Sequence, residues 1–388
     1  MKIAMVSEGA SPLAQSISDS TDGQGVHVAG LSAAMARAGH DVTVYTRCHE
    51  AGSPERVLAP GGYAVVNVAA GPAELAEYLN AQWAAERPDV AHAFFWTSGL
   101  STQLAARAHG VPTVQTFRSL AVTEHSHDMR GSALDDRSKV ERLLARQADW
   151  VVATCTDEVS DLTRLGRPRG QISMVPCGVD TDVFSTEGPA ADRNESPRIV
   201  AVGKLAPHNG FSTVIKALPG IPDAEYVVVG DLDDEQVGAE EEHRRLRALA
   251  VDRGVSDRVR FVGPVEYCDM PALLRSADVA TCTPWYEAFG LVSLEAMACG
   301  VPVVASGVGG MLDAVVHDVT GRLVTPRRPR ECAEQITAIL RDSFLRRSLG
   351  LAGRDRACAR FTWDRVAADT ARVYDRLVGA VSDAWQPA

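Results

Sequence analysis

Residues 279–306 read VATCTPWYEAFGLVSLEAMACGVPVVAS. Val279 to Cys282 is a short apolar run, Leu291 to Ala298 a helical stretch entered through a Phe-Gly turn, and Val301 to Ser306 a second apolar run. Strand, loop, helix and strand in this order describe a parallel sheet with helices on its faces. The same alternation extends upstream through strand Arg198 to Gly203, helix Phe211 to Leu218, strand Glu225 to Gly230, helix Glu240 to Arg253, strand Val259 to Val262 and helix Met270 to Ser276. Downstream the chain turns helical over Ala333 to Leu340, Phe344 to Cys358 and Trp363 to Trp385.

The first half repeats the theme. Strand-like Lys2 to Ser7 precedes a helix from Gln24 to Arg37 that Gly39 stops. Then come Asp41 to Thr46, helix Pro72 to Arg87, Val90 to Phe95, helix Leu100 to His109, Pro112 to Thr116, helix Ser138 to Ala148 and Trp150 to Thr154. Between Pro176 and Pro197 the stretch CGVDTDVFSTEGPAADRNESP breaks the pattern with a composition that cannot build a core. The expectation is therefore α/β: two Rossmann-like, doubly wound domains facing across a cleft. Residues 1–180 form the first, 181–197 a linker, 198–365 the second, and 366–388 a terminal helix returning to the first. Ligand sites of open parallel sheets lie at the carboxyl ends of the strands, so two such sheets suit a two-part substrate.

Composition narrows the function. The 388 residues exceed the roughly 250 to 300 at which one core divides, and 39 Lys plus Arg against 50 Asp plus Glu give a net charge of −11. That balance argues against a nucleic-acid partner. No run approaches the ~20 apolar residues of a spanning helix, and MKIAMVSEGASP turns polar too soon for a signal peptide, so a cytoplasmic protein is expected. Eight cysteines without a CxxC pair suggest neither zinc nor disulfides.

Glu287 and Glu295 flank the Phe-Gly turn eight positions apart. Glu295 falls on the helix and Glu287 before the turn, so both can reach a ligand at the helix amino end, where the N–H groups of Gly290 to Val292 favour an anion such as a diphosphate. An isolated Glu-x7-Glu is more often two surface charges; its surroundings change that balance.

The segment, with MKIAMVSE, HVAGLSAAMARAGHDVTVYTR, VPCGVDTDVF and VGKLAPHNGFSTVIKAL, resembles the family 4 retaining glycosyltransferases of GT-B fold over nearly the whole chain. The resemblance implies a hexosyltransferase that moves a hexose or aminohexose from a nucleoside diphosphate sugar, UDP-linked, to a hydroxyl with retention, without a metal or other cofactor. It implies that Glu287 sits beside the donor sugar, that Glu295 binds the ribose, and that Phe289 to Leu291 contact sugar and phosphate through their backbone. The family's phosphate clamp, G-R-x4-K-G, is written here from Gly203 to Gly210, with Lys204 for Arg and Asn209 for Lys. Lys204 keeps a point charge but loses the bidentate fork, and Asn209 donates without charge. In the first domain the usual Gly-Gly loop is Ser20-Thr21-Asp22-Gly23-Gln24-Gly25, and the usual His of the Q-T-F segment is Arg118. Arg118 either repositions the sugar or replaces charge lost at Asn209. Gly23, Gln24 and Gly25 permit a phosphate to approach, although a plain turn explains them equally well.

In such a front-face displacement no side chain is a covalent nucleophile, and the departing phosphate helps deprotonate the acceptor. The helix from Gln24 to Arg37 carries little basic charge, so a small soluble acceptor is expected rather than one held in a bilayer. Glu8, Asp19, Asp22, Glu124 and Asp128 read first as the ordinary acidic loops of an acidic protein and second as groups that draw a cationic acceptor, while similar N-terminal segments in antibiotic-tailoring relatives point to an aminoglycoside precursor. His125 and His127 read as solvated loop residues, Gly309 and Gly310 as a turn or a close ligand approach, Met297 and Cys299 as core. The rivals are a catalytically weak or silent nucleotide-sugar-binding partner and a GT-B sugar nucleotide epimerase.

Overall fold

The structure, a computed structural model, describes residues 1–13, 23–47, 54–68, 71–126, 134–230 and 239–384. These divide into two compact units, one from residues 1–13, 23–178 and 363–384, the other from 179–362.

The first unit holds strands β1 (Lys2–Val6), β2 (Asp41–Arg47), β3 (Arg56–Leu58), β4 (Ala64–Val68), β5 (Val90–Phe94), β6 (Thr113–Thr116), β7 (Trp150–Ala153) and β8 (Ile172–Met174). They form one sheet in the order β3-β4-β2-β1-β5-β6-β7-β8, parallel except for β3. Its helices are α1 (Gln24–Arg37), α2 (Pro72–Ala85), α3 (Phe95–His109), α4 (Ala121–Ser126), α5 (Leu134–Gln147) and α6 (Thr156–Arg164). Val6 and Tyr45 pack with Leu75, Leu79 and Trp83 of α2 and Ala105 of α3. The three-residue strands β3 and β8 escape the sequence reading because neither contains an apolar run. Helix α3 starts at Phe95, not Leu100, because β5 passes straight into it through a left-handed Phe95, φ 70°. The C-terminal helix Trp363–Ala384 joins this unit: Trp363 stands edge-on to His27 of α1 at 5.4 Å, and Arg37 pairs with Asp364 at 2.8 Å.

The second unit holds β9 (Arg198–Val202), β10 (Glu225–Val229), β11 (Val259–Val262), β12 (Val279–Cys282), β13 (Val303–Ser306) and β14 (Gly321–Val324), in the order β11-β10-β9-β12-β13-β14. Every pairing is parallel. Helices α7 (Phe211–Ala217), α8 (Ala239–Asp252), α9 (Met270–Arg275), α10 (Leu291–Ala298), α11 (Gly310–Ala314), α12 (Pro329–Arg341) and α13 (Ser343–Arg360) complete it, and Trp363–Ala384 is α14. Strand β13 begins two residues later than expected, since Pro302 has no N–H to give the ladder. Ile199, Val214, Tyr226, Val228, Leu246, Val304 and Ile336 fill its core.

Residues 181–197, expected as a linker, are docked on this unit. Phe184 is buried edge-on to Tyr267 at 5.2 Å, Arg275 donates to the Ser185 and Pro189 carbonyls, and the buried Arg198 donates to that of Asp192. The distant Arg275 and the adjoining Arg198 satisfy backbone that the local composition leaves without partners.

Candidate active site

In the second sheet the chain enters at β9, moves outward to β11 and returns on the other side at β12. The strand order therefore reverses between β9 and β12, and their outgoing loops part at the carboxyl edge, where open α/β sheets bind ligands. The two loops, 203–210 and 283–290, are tied together there. Thr283 Oγ1 donates to the Gly210 carbonyl at 3.1 Å, and the Trp285 N–H donates to that of His208 at 2.8 Å. A Cβ on Gly210 would lie 1.7 Å from the Thr283 carbonyl oxygen, and φ is 75°, so only glycine fits.

Helix α10 starts from this loop, capped by a left-handed Gly290, φ 69°. The first-turn N–H groups of Leu291 and Val292 have no carbonyl within the helix to bind and carry its positive end. Glu287 Oε1 accepts the Phe289 N–H at 3.0 Å, and the Glu287 carbonyl accepts the N–H of Gly310 at 2.8 Å, which locks the 283–290 loop to the start of α11. Glu295, inside α10, is 1 % exposed, and among the described residues neither carboxylate oxygen has a hydrogen-bond partner. Burial pushes it up to about 8. Glu287 and Glu295 lie close enough that both act on the Cys282 thiol at the end of β12, which burial first of all, and then the two carboxylates, raise to about 12. Both carboxylates thus act on the thiol at the end of β12, one from each side of the Phe-Gly turn, and Glu295 is a buried acceptor.

A neutral Glu295 in the folded chain and an ionised one in the unfolded chain make stability fall as pH rises from about 4.5 toward about 8. Glu295→Gln removes this share. It is expected to raise the melting temperature at pH 8 by the equivalent of ~2 to 4 kcal/mol, and to change little at pH 4.5. Equal wild-type and variant melting curves at pH 8 would show that the carboxyl finds a partner. Glu158, which burial lifts to about 7, supplies a slope both proteins share.

Lys204 is half-buried beside Gly203 in the β9 loop. Among the described residues its ammonium has no ion-pair partner, so its charge faces the loop edge unneutralised. The Asn209 amide donates one N–H to the Lys204 carbonyl at 2.8 Å, closing the loop on itself, and keeps a second N–H. Arg327, after β14, lies over the Trp285 ring at 4.3 Å, a contact no local pattern announces. Met297 and Cys299 are buried, as expected. Lys216 is exposed on its helix.

In the first unit Gly23, φ 74°, caps α1; Gln24 is buried and donates to Ser7 Oγ at 3.2 Å, and Gly25 is buried behind it. Asp19, Asp22, His127 and Asp128 lie outside the described residues, as does the side chain of His125. Arg118 follows β6 in a left-handed conformation, φ 71°. Its backbone N–H goes to the buried carboxylate of Glu158, which also takes the Thr154 N–H at 2.6 Å and hydroxyl at 2.7 Å. Glu158 is the group the sequence reading missed: it accepts the Arg118 N–H from forty residues away. The Arg118 charge reaches α1, where it adds to the burial that depresses His27 to about 3. Glu124 is engaged by Arg137 at 2.8 Å and Ser119 at 2.8 Å. Among the described residues no group of three or more His, Cys, Asp or Glu is placed to hold a metal ion, and no helix is long and apolar enough to cross a membrane.

This arrangement matches known proteins along its whole length. Residues 187–356 fit the family of glycosyl transferases group 1, and residues 22–178 the glycosyl transferase 4-like domain. D-inositol 3-phosphate glycosyltransferase of Xylanimonas cellulosilytica is 34% identical, with 96% of each chain covered. The protein of the same name from Jonesia denitrificans is 32% identical, covering 98% of this chain and 97% of its own. Among solved structures, sucrose-phosphate synthase from Thermosynechococcus elongatus superposes with a TM-score of 0.89 at 29% identity, over 98% of this chain and all of its own. Anabaena HepE in complex with UDP and glucose shares the fold at 20% identity, TM-score 0.78, over 97% of this chain and 100% of its own. The two glycosyltransferases are named for an inositol phosphate and the synthase for a sugar phosphate, and the expectation of antibiotic tailoring gains no support from them. The chain belongs to the group 1 and 4-like glycosyl transferases and is a glycosyltransferase of GT-B fold.

Proposed function

We propose that the chain transfers a hexosyl or aminohexosyl unit, with retention, from a UDP-linked sugar to a hydroxyl of a small cyclitol. The carrying observation is Glu295, whose two buried oxygens lack donors beside a helix amino end. A ribose brings two adjacent hydroxyls, and a diphosphate suits the N–H groups of Gly290 to Val292 and the charge of Lys204. Glu287, fixed at Phe289 and Gly310, is the acid beside the transferred sugar. Since Asn209 carries no charge, leaving-group charge falls to Lys204 and helix α10.

The cyclitol class rests on the relatives' name, inositol 3-phosphate, and on the aminocyclitol core of the expected aminoglycoside precursor; the ring is common to both.

The test is UDP release from UDP-glucose and UDP-N-acetylglucosamine in excess EDTA, with inositol 3-phosphate and streptamine, a diaminated inositol, as acceptors. Acceptor-dependent release, with the donor's anomeric configuration kept in the product, supports transfer. An epimerised nucleotide sugar without UDP release favours the epimerase, and UDP binding without any turnover the silent partner. In the same assay Arg118→Ala is expected to lower transfer by about tenfold or more. Unchanged donor affinity and unchanged transfer would remove Arg118 from the reaction.

A further inference from the structure

Glu8 follows β1, the central strand of the first sheet at the point where its order reverses between β1 and β5. It is 4 % exposed. Its backbone is fully used: the N–H donates to Ser98 Oγ at 2.9 Å, in the first turn of α3, and the carbonyl accepts the Arg47 N–H at 3.2 Å. Its carboxylate is only loosely engaged. Oε1 forms an ion pair with Arg47 Nη1 at 3.8 Å, beyond hydrogen-bond reach, and among the described residues Oε2 has no hydrogen-bond partner.

The ladder continues past β1, as the Ser7 and Arg47 N–H bonds show, so Glu8 lies on the face of Val6 and Tyr45, toward α2 and α3. Near the start of α3, Arg137 lies 4.9 Å over the ring of Phe95, one turn before Ser98, and is bound by both Glu124 and Glu141. A buried carboxylate oxygen without a donor is costly, and its charge favours a cationic group over an anionic one.

We infer that Glu8 is an acceptor-specificity residue, whose Oε2 receives an ammonium group of an amine-bearing polyol and disfavours a phosphorylated one. The inference rests on the proposed transfer to a cyclitol and adds the charge of the acceptor.

It is tested by calorimetric titration of the full chain, with and without saturating UDP, using streptamine, inositol and inositol 3-phosphate. Streptamine is expected to bind tightest, and Glu8→Gln to weaken it roughly 10- to 100-fold while leaving inositol within about threefold and UDP affinity unchanged. Glu8→Asp should recover part of the loss. Streptamine and inositol binding alike, tighter binding of inositol 3-phosphate, no streptamine binding, or an affinity indifferent to Glu8→Gln would each overturn it; the last is the result if Glu8 pairs with Arg47 in solution. Failure of UDP to bind the wild type strikes the proposed function instead, and the titrations without UDP still read Glu8.

Discussion

Glu295→Ala is expected to weaken UDP binding by about a hundredfold or more, the equivalent of ~3 kcal/mol. Two hydroxyls donating to one buried carboxylate make charge-assisted bonds, and water cannot replace them at a residue 1 % exposed. The effect has a protonic signature. Burial holds Glu295 at about 8 without ligand, so it is mostly neutral at pH 7, and donors that favour the charged form must pull its proton off as nucleotide binds. The wild type should release up to one proton per UDP at pH 7, visible as a binding enthalpy that changes with the ionisation enthalpy of the buffer. Glu295→Gln keeps one acceptor oxygen, should lose less affinity than the alanine variant, and should show no such buffer dependence. Equal affinities across the three proteins would mean that the nucleotide does not meet this residue.

Gly309→Ala should abolish most transfer, by about a hundredfold or more, and cost ~3 kcal/mol or more of stability. A Cβ at 309 would stand 2.1 Å from the Glu287 carbonyl oxygen, and the backbone there, φ 48° and ψ −131°, suits only glycine. The same carbonyl accepts the Gly310 N–H, so relief of the clash must move the loop that carries Glu287. Glu295 sits inside α10 rather than on that loop, and UDP binding should fall less than transfer. Near-normal transfer by a folded Gly309→Ala protein would separate Glu287 from the chemistry.

These effects trace to features the sequence shows unevenly. The 279–306 segment discloses its strand, turn and helix because apolar runs and the Phe-Gly turn are local, and the Glu287/Glu295 spacing survives folding unchanged. The bond from Asn209 to the Lys204 carbonyl does not read through, because it depends on the closure of the loop. Arg118 has its identity in the sequence, but its left-handed backbone and the bond from its N–H to Glu158 of α6 come from the fold. Residues 181–197 look like a linker because composition records no distant partner, yet Arg275 and Arg198 hold them down. Glu8 was visible only as one acid among several. Its burial and its free oxygen follow from the sheet around β1, whereas Glu124, grouped with it by charge, is spent on Arg137.

The central claim is that the edge between β9 and β12 holds a nucleoside diphosphate without a metal. Calorimetric titration of the purified wild type with UDP, and separately GDP, in excess EDTA tests it most directly. Saturable binding of UDP, in preference to GDP, with proton release at pH 7 is the predicted result. No saturable binding of either nucleotide would contradict the account.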